Sequence, residues 1–78
     1  MATFNISLGS INSVKNFVNI VNRYDFDVDL TSGRYVVDAK SIMGIFSLDL
    51  SKPIVVEAHC SEDSAAGFKA DMKEFIVD

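Results

Sequence analysis

The spacing of apolar residues changes repeatedly along this chain between a period of two and a period near 3.6 residues. Residues 3–8 alternate polar and apolar side chains, which predicts a half-buried strand. Residues 11–23 repeat apolar side chains every three or four positions, which predicts an amphipathic helix with Ser10 as its N-cap. The predicted buried stripe of that helix comprises Ile11, Val14, Phe17, Val18, Val21 and Tyr24.

The rest of the chain continues the alternation. Residues 26–30 return to a period of two, and the turn signal Ser32-Gly33 leads into a second strand at residues 35–39, so we expect a hairpin. Ser41 begins a short helix, and residues 54–60 form a fourth strand after Pro53. Ser61 caps a last helix whose predicted buried stripe is Ala65, Phe68, Met72 and Phe75 or Ile76. Gly67 inside that helix costs about 1 kcal/mol relative to Ala, which a close helix contact would justify.

This order of elements constrains the fold class. Four strands and three amphipathic helices within 78 residues predict one domain spanning residues 1–78. Helices that are apolar on one side can cover one face of a mostly antiparallel sheet, so we expect a two-layer α+β architecture. The pattern alone leaves the order of the strands open.

Charge and cysteine content exclude several classes of function. A net charge of −4 argues against nucleic acid and against anionic membranes, which both favour basic surfaces. The sequence has no apolar run of membrane-spanning length and no signal-peptide pattern at its start. A lone Cys60 cannot form an internal disulfide. We therefore expect a cytoplasmic protein, and we expect it to be a monomer without a cofactor.

Two groups of residues suggest a metal site only weakly. His59 and Cys60 are adjacent on a predicted strand, so their side chains point to opposite faces, and no second Cys or His completes a zinc site. The aspartates around the hairpin lack the glycine spacing and the terminal Glu of a calcium loop. They are Asp25, Asp27, Asp29 and Asp38, and we interpret them as a solvated face without a metal.

The segment Lys40-Ser41-Ile42-Met43-Gly44, followed by Ser47-Leu48, is dense in apolar residues. Together with Tyr24-Asp25-Phe26-Asp27-Val28-Asp29-Leu30 and Ser32-Gly33-Arg34 upstream, it resembles the histidine phosphocarriers (HPr) of the bacterial sugar phosphotransferase system. The resemblance covers nearly the whole chain. It implies an open-faced β-sandwich of order βαββαβα, in which three helices cover one face of a four-stranded sheet.

This sequence lacks the residue that carries the phosphate in that family. Relatives carry phosphate on a His at the start of the first helix, within a Gly-x-His-x-Arg-Pro pattern. Counting back from Ser41 without a gap places Ser10 at the His position and Asn12 at the Arg position, and alignment on Gly9 offers Ile11 and Ser13 instead. The only His is His59. We therefore expect neither histidine phosphocarrier activity nor an enzyme.

The resemblance implies that Ser41 corresponds to the serine that a dedicated kinase phosphorylates in many relatives. Lys40 would add a partner charge, and Ile42, Met43 and Phe46 would form the docking patch. The implied partners are an HPr-type kinase, a transcriptional regulator or another phosphotransferase-system protein. Alternatively, Ser41 is only a helix cap and the apolar run only a short core helix.

Two further functions stay open at this point. One is a phosphocarrier in sugar transport that uses an atypical acceptor, either Ser10, Ser13 or His59. The other is a divergent domain that keeps the fold and serves an unrelated assembly. The sequence favours a regulatory protein-binding module.

Overall fold

The computed structural model describes residues 1–77 and confirms the predicted order βαββαβα. Three helices lie against one face of a single four-stranded sheet, as the resemblance implied. No helix in the described part of the chain is both long and apolar enough to span a bilayer. The elements are β1 (Ala2–Ile6), α1 (Ile11–Val21), β2 (Val28–Ser32), β3 (Tyr35–Asp38), α2 (Ile42–Phe46), β4 (Ile54–Ala58) and α3 (Glu62–Asp71).

The strands lie in the order β1-β4-β2-β3, and every neighbouring pair is antiparallel. Strands β2 and β3 form the predicted hairpin, and Gly33 in its turn has φ +59°, which glycine adopts without steric cost. The outer edge of β1 is partly covered, because Val77 N–H donates to the Asn5 carbonyl at 2.9 Å and Ile6 bridges Ile76. Strand β3 forms the opposite edge of the sheet.

The two faces of the sheet differ in chemistry. The helix-covered face is apolar, and its fully or almost fully buried side chains include Phe4, Ile6, Val28, Leu30, Ile54, Val56 and Ala58. The register places Asp29 opposite both Asp38 and Glu57 on the uncovered face. Like charges directly opposite each other destabilise a sheet. This row of carboxylates therefore destabilises the sheet, whereas the apolar packing on the helix-covered face stabilises it.

Several predicted boundaries differ from the structure. Strand β2 begins two residues later than predicted, because Phe26 packs against Tyr24 and Phe68 with ring centroids 5.2 and 5.3 Å apart. Strand β4 ends at Ala58, so His59 and Cys60 follow the strand instead of belonging to it. The strand and helix types themselves are correct.

Several helix residues pack less closely than the sequence suggested. Ile11 is 63% exposed, since it is the first residue of α1 and the packed part of that helix begins one turn later. Gly67 makes no close contact, because a Cβ built on it meets no atom within 4 Å. Ala65 is only half-buried, whereas Phe68, Met72 and Phe75 form the expected buried stripe.

Candidate functional site

The start of α1 is a conventional N-cap. Ser10 Oγ accepts a hydrogen bond from Ser13 N–H at 3.1 Å, and the two hydroxyl oxygens lie 2.9 Å apart. Asn12 is exposed, and the first turn carries no acidic residue. An alcohol needs an adjacent base to become a nucleophile. Within residues 1–77, no hydrogen bond joins Ser10 or Ser13 to such a base, and their hydroxyls serve the cap.

Ser41 occupies the same local position at the start of α2. Its Oγ accepts from Gly44 N–H at 3.2 Å, and its carbonyl accepts from Ile45 N–H at 3.1 Å. Ser41 itself is exposed. Gly44 permits this close packing, because a Cβ there would lie 3.3 Å from both Ser41 Oγ and Val37 Cβ. The Gly44 amide therefore points at an accessible hydroxyl oxygen.

The structure divides the four predicted docking residues into two pairs. Met43 and Phe46 are exposed by 75% and 41%, which leaves two large apolar side chains on the surface of α2. Ile42 is half-buried and packs against the core. Lys40 donates from Nζ to the Tyr24 carbonyl at 2.8 Å, so its ammonium is partly engaged within the domain. Met43 and Phe46 are therefore the exposed apolar side chains near Ser41 that a partner could contact.

His59 lies among carboxylates on the uncovered side of the sheet. Its Nε2 is 2.9 Å from Asp29 Oδ2, and Asp27 and Asp38 line the same shallow depression. A phosphoryl group on this ring would bring further negative charge next to those carboxylates, which repel it. Cys60 is half-buried against the core. Among residues 1–77, no group of three or more His, Cys, Asp or Glu side chains is arranged to hold a metal ion.

Sequence reasoning missed the polar contacts that join the helices. Tyr24 Oη donates to the Asp71 carboxylate although the two residues are 47 positions apart. That hydrogen bond raises the pKa of Tyr24, and partial burial and the charge of Asp71 raise it further. Lys40 contacts the carbonyl of the same tyrosine. No local sequence pattern predicts either hydrogen bond, because both depend on how distant segments pack.

The chain is similar to known proteins in sequence family and in fold. A family model described as "PTS HPr component phosphorylation site" matches residues 12–78, so Ser10 lies just outside the matched residues. No curated protein sequence matches the chain.

Known solved structures share the fold, among them the following three. HPr-C-His from Thermoanaerobacter tengcongensis has a TM-score of 0.75 at 24% identity, covering 95% of this chain and 92% of that one. A phosphocarrier protein HPr from Bacillus anthracis str. Ames has a TM-score of 0.73 at 21% identity, covering 97% and 96%. A histidine-containing phosphocarrier protein of Mycoplasma has a TM-score of 0.71 at 13% identity, covering 99% and 100%. At these identities the likeness shows the fold alone.

Proposed function

We propose that this chain, which belongs to the HPr family of the phosphotransferase system, is a regulatory protein-binding module switched by phosphorylation at Ser41. Members of this family are phosphocarriers and not catalysts. In this proposal the chain binds other phosphotransferase-system proteins or a regulator and does not carry phosphate on histidine. The observation that carries the proposal is the exposed Ser41 hydroxyl at the start of α2, with the exposed Met43 two residues away.

The local geometry supports a phosphorylated Ser41. The Gly44 amide already points at Ser41 Oγ, and phosphate oxygens are stronger acceptors than a hydroxyl. The start of a helix favours negative charge, since its first amides have no intrahelical partner. A phosphate on Ser41 would therefore be tolerated by the fold while it adds charge beside the apolar side chains of Met43 and Phe46.

The same geometry disfavours phosphate transfer through this chain. Ser10 and Ser13 lack a neighbouring base among their hydrogen-bond partners in residues 1–77, and His59 is paired with Asp29. A carrier must accept the phosphoryl group from one protein and release it to another. A ring surrounded by carboxylates would repel the anionic donor at each step.

Two phosphorylation reactions on the purified chain, read by intact mass, test the proposal. The first uses an HPr-type kinase with ATP, and the second uses Enzyme I with phosphoenolpyruvate. We expect one acid-stable phosphate from the kinase and none from Enzyme I. Ser41→Ala should abolish the modification, and Ser61→Ala is the matched control because Ser61 is another exposed N-cap serine.

The outcomes separate the competing functions. Acid-labile phosphate gained from Enzyme I and lost in His59→Ala would refute the proposal and indicate a carrier with an atypical acceptor. Acid-stable phosphate gained from Enzyme I would indicate Ser10 or Ser13. If neither enzyme modifies the chain, the regulatory function is wrong and the domain serves another assembly.

A further inference from the structure

Strand β3 has an unpaired edge in the described part of the chain. It is hydrogen-bonded to β2 on one side and is the last strand of the sheet on the other. Ala39 N–H donates to the Val28 carbonyl at 2.9 Å, in continuation of the β2–β3 register. Because antiparallel bonding alternates, Tyr35 and Val37 also bond towards β2. The N–H and C=O groups of Val36 therefore point away from the sheet.

The side chains along this edge are apolar in the centre and charged at the ends. Tyr35 and Val36 are exposed by 71% and 62%, the largest exposed fractions of any β-strand apolar side chain in residues 1–77. Arg34 and Asp38 lie two residues before and two residues after Val36. Neither forms a salt bridge within the described residues. An unpaired edge with exposed apolar residues is a template for pairing with another strand.

We propose that this edge pairs with the β3 edge of a second copy of the chain, antiparallel about a twofold axis through Val36. The two sheets would then join into one continuous sheet of eight strands. The interface is isologous, so the same residues contribute from both copies. The sequence led us to expect a monomer, and because the proposed interface is small, we expect the monomer to predominate at low concentration.

Charge complementarity fixes the register of this pairing. With Val36 opposite Val36 of the second copy, Arg34, in the turn immediately before β3, lies at the end of the paired strands next to Asp38 of that copy, and the symmetry repeats the contact. Shifting the strands by two residues, so that the axis passes through Val37, would place Arg34 opposite Lys40 of the second copy instead. Like charges directly opposite each other are unfavourable, so the register centred on Val36 is preferred.

The same register satisfies the backbone and the apolar side chains. The outward N–H and C=O of Val36 would bond to the equivalent groups of the second copy, as in a narrow antiparallel pair. Tyr35 would lie opposite Val37 of the second copy, and aromatic with β-branched pairs stabilise antiparallel strands. Charges of one sign at both ends would block such pairing, whereas Arg34 and Asp38 complement each other.

Sedimentation analysis over a concentration series tests the proposal with two charge reversals. Arg34→Asp and Asp38→Arg each turn two attractive contacts per dimer into repulsive ones, so we expect each to weaken association on the order of tenfold or more. The double variant should restore it. A mixture of the two single variants should also associate, because the two introduced charges, which are opposite in sign, then face each other in one pair. In the other pair of that mixed dimer, the unchanged Arg34 faces the unchanged Asp38.

Lys15→Asp on α1 is the control. It changes the net charge by the same amount as Arg34→Asp, but Lys15 is an exposed residue away from the β3 edge. Equal association of the unmodified chain and both single variants would overturn the proposal. So would a mixture that stays monomeric.

A second measurement uses the unmodified protein and does not depend on the folding of any variant. The amide of Val36 should become more protected from hydrogen exchange as concentration rises, whereas the amide of Val37 is already bonded to β2 and should change little. A chain that remains monomeric at the highest concentration, with Val36 exchanging at a constant rate, would refute the pairing.

Discussion

Replacement of Phe68 tests how the sheet and the helices are joined. Phe68 is the only buried residue among the ten of α3, so the attachment of that helix depends strongly on one side chain. Its ring lies 6.0 Å from Phe4, 5.0 Å from Tyr24 and 5.3 Å from Phe26. Phe4 lies in β1, and Tyr24 and Phe26 lie in the loop between α1 and β2. Phe68 therefore joins α3 to two segments that are distant from it in sequence.

The magnitude follows from burial and ring packing. Truncation of a buried Phe to Ala costs about 3–5 kcal/mol, because transfer free energy is lost and a cavity remains. A chain of 78 residues has a total stability of roughly 4–12 kcal/mol. Phe68→Ala should therefore remove a large fraction of the stability of the domain. Phe68→Leu keeps most of the volume and loses the ring contacts, so we expect a loss of about 1–2 kcal/mol.

Urea unfolding followed by circular dichroism provides the measurement. Each kcal/mol lowers the melting temperature of a domain this size by about 4–8 °C, so Phe68→Leu should also melt about 4–16 °C lower. Lys69→Ala is the matched control, since Lys69 is exposed and adjacent on the same helix. Its free energy of unfolding should change by less than about 0.5 kcal/mol. A loss below about 1 kcal/mol in Phe68→Ala would refute the idea that this ring anchors α3.

Two glycines and one tyrosine supply the remaining predictions. Gly67→Ala should raise the free energy of unfolding by about 0.5–1 kcal/mol, because the helix gains a better former and a Cβ there meets nothing within 4 Å. Gly33→Ala should lower it by about 1–2 kcal/mol, because φ is +59°; urea unfolding measures both, and equal changes would contradict the argument. The pKa of Tyr24 is raised by Asp71, so this stabilisation is complete below the unfolded pKa near 10 and is lost as pH rises through the higher folded value. Absorbance titration of the phenolate in a Tyr35→Phe background should show this late ionisation, and adding Asp71→Ala should return the pKa of Tyr24 towards the ordinary tyrosine value of about 10. Equal titration curves with and without Asp71→Ala would count against the hydrogen bond.

The parts of the fold that depend on neighbouring residues could be predicted from the sequence. Ser10, Ser41 and Ser61 were each predicted as N-caps, and each accepts a hydrogen bond from the amide three residues later. The turn at Gly33 was also predicted, because it requires a backbone conformation that glycine favours. The order β1-β4-β2-β3 of the strands in the sheet was left open, since alternation along one strand does not specify its neighbour.

The parts that depend on distant residues could not be predicted. Phe26 continues the alternating pattern of β2, yet it packs in the aromatic cluster around Phe68 before the strand begins. Lys40 was expected to offer a charge beside Ser41, but its ammonium donates to the Tyr24 carbonyl 16 residues earlier. Ile42 and Met43 are both apolar neighbours in the sequence. Only the packing of α2 on the core shows that Ile42 is half-buried and Met43 is exposed. At the candidate site, the sequence therefore identified the segment and the structure identified the exposed residues.

The pairing of β1 with β4 also determines when this domain can fold during synthesis. Ile6 pairs with Ile54 in the sheet and bridges Ile76, so the first strand has no partner until those distant residues have been made. At about 5–20 residues per second, the ~48 residues between Ile6 and its β4 partner Ile54 take roughly 2–10 s to translate. Throughout that interval Phe4 and Ile6, which are buried in the final fold, lack their β4 neighbours. Molecular chaperones that bind short apolar segments would therefore find residues 2–6 accessible until β4 has been made.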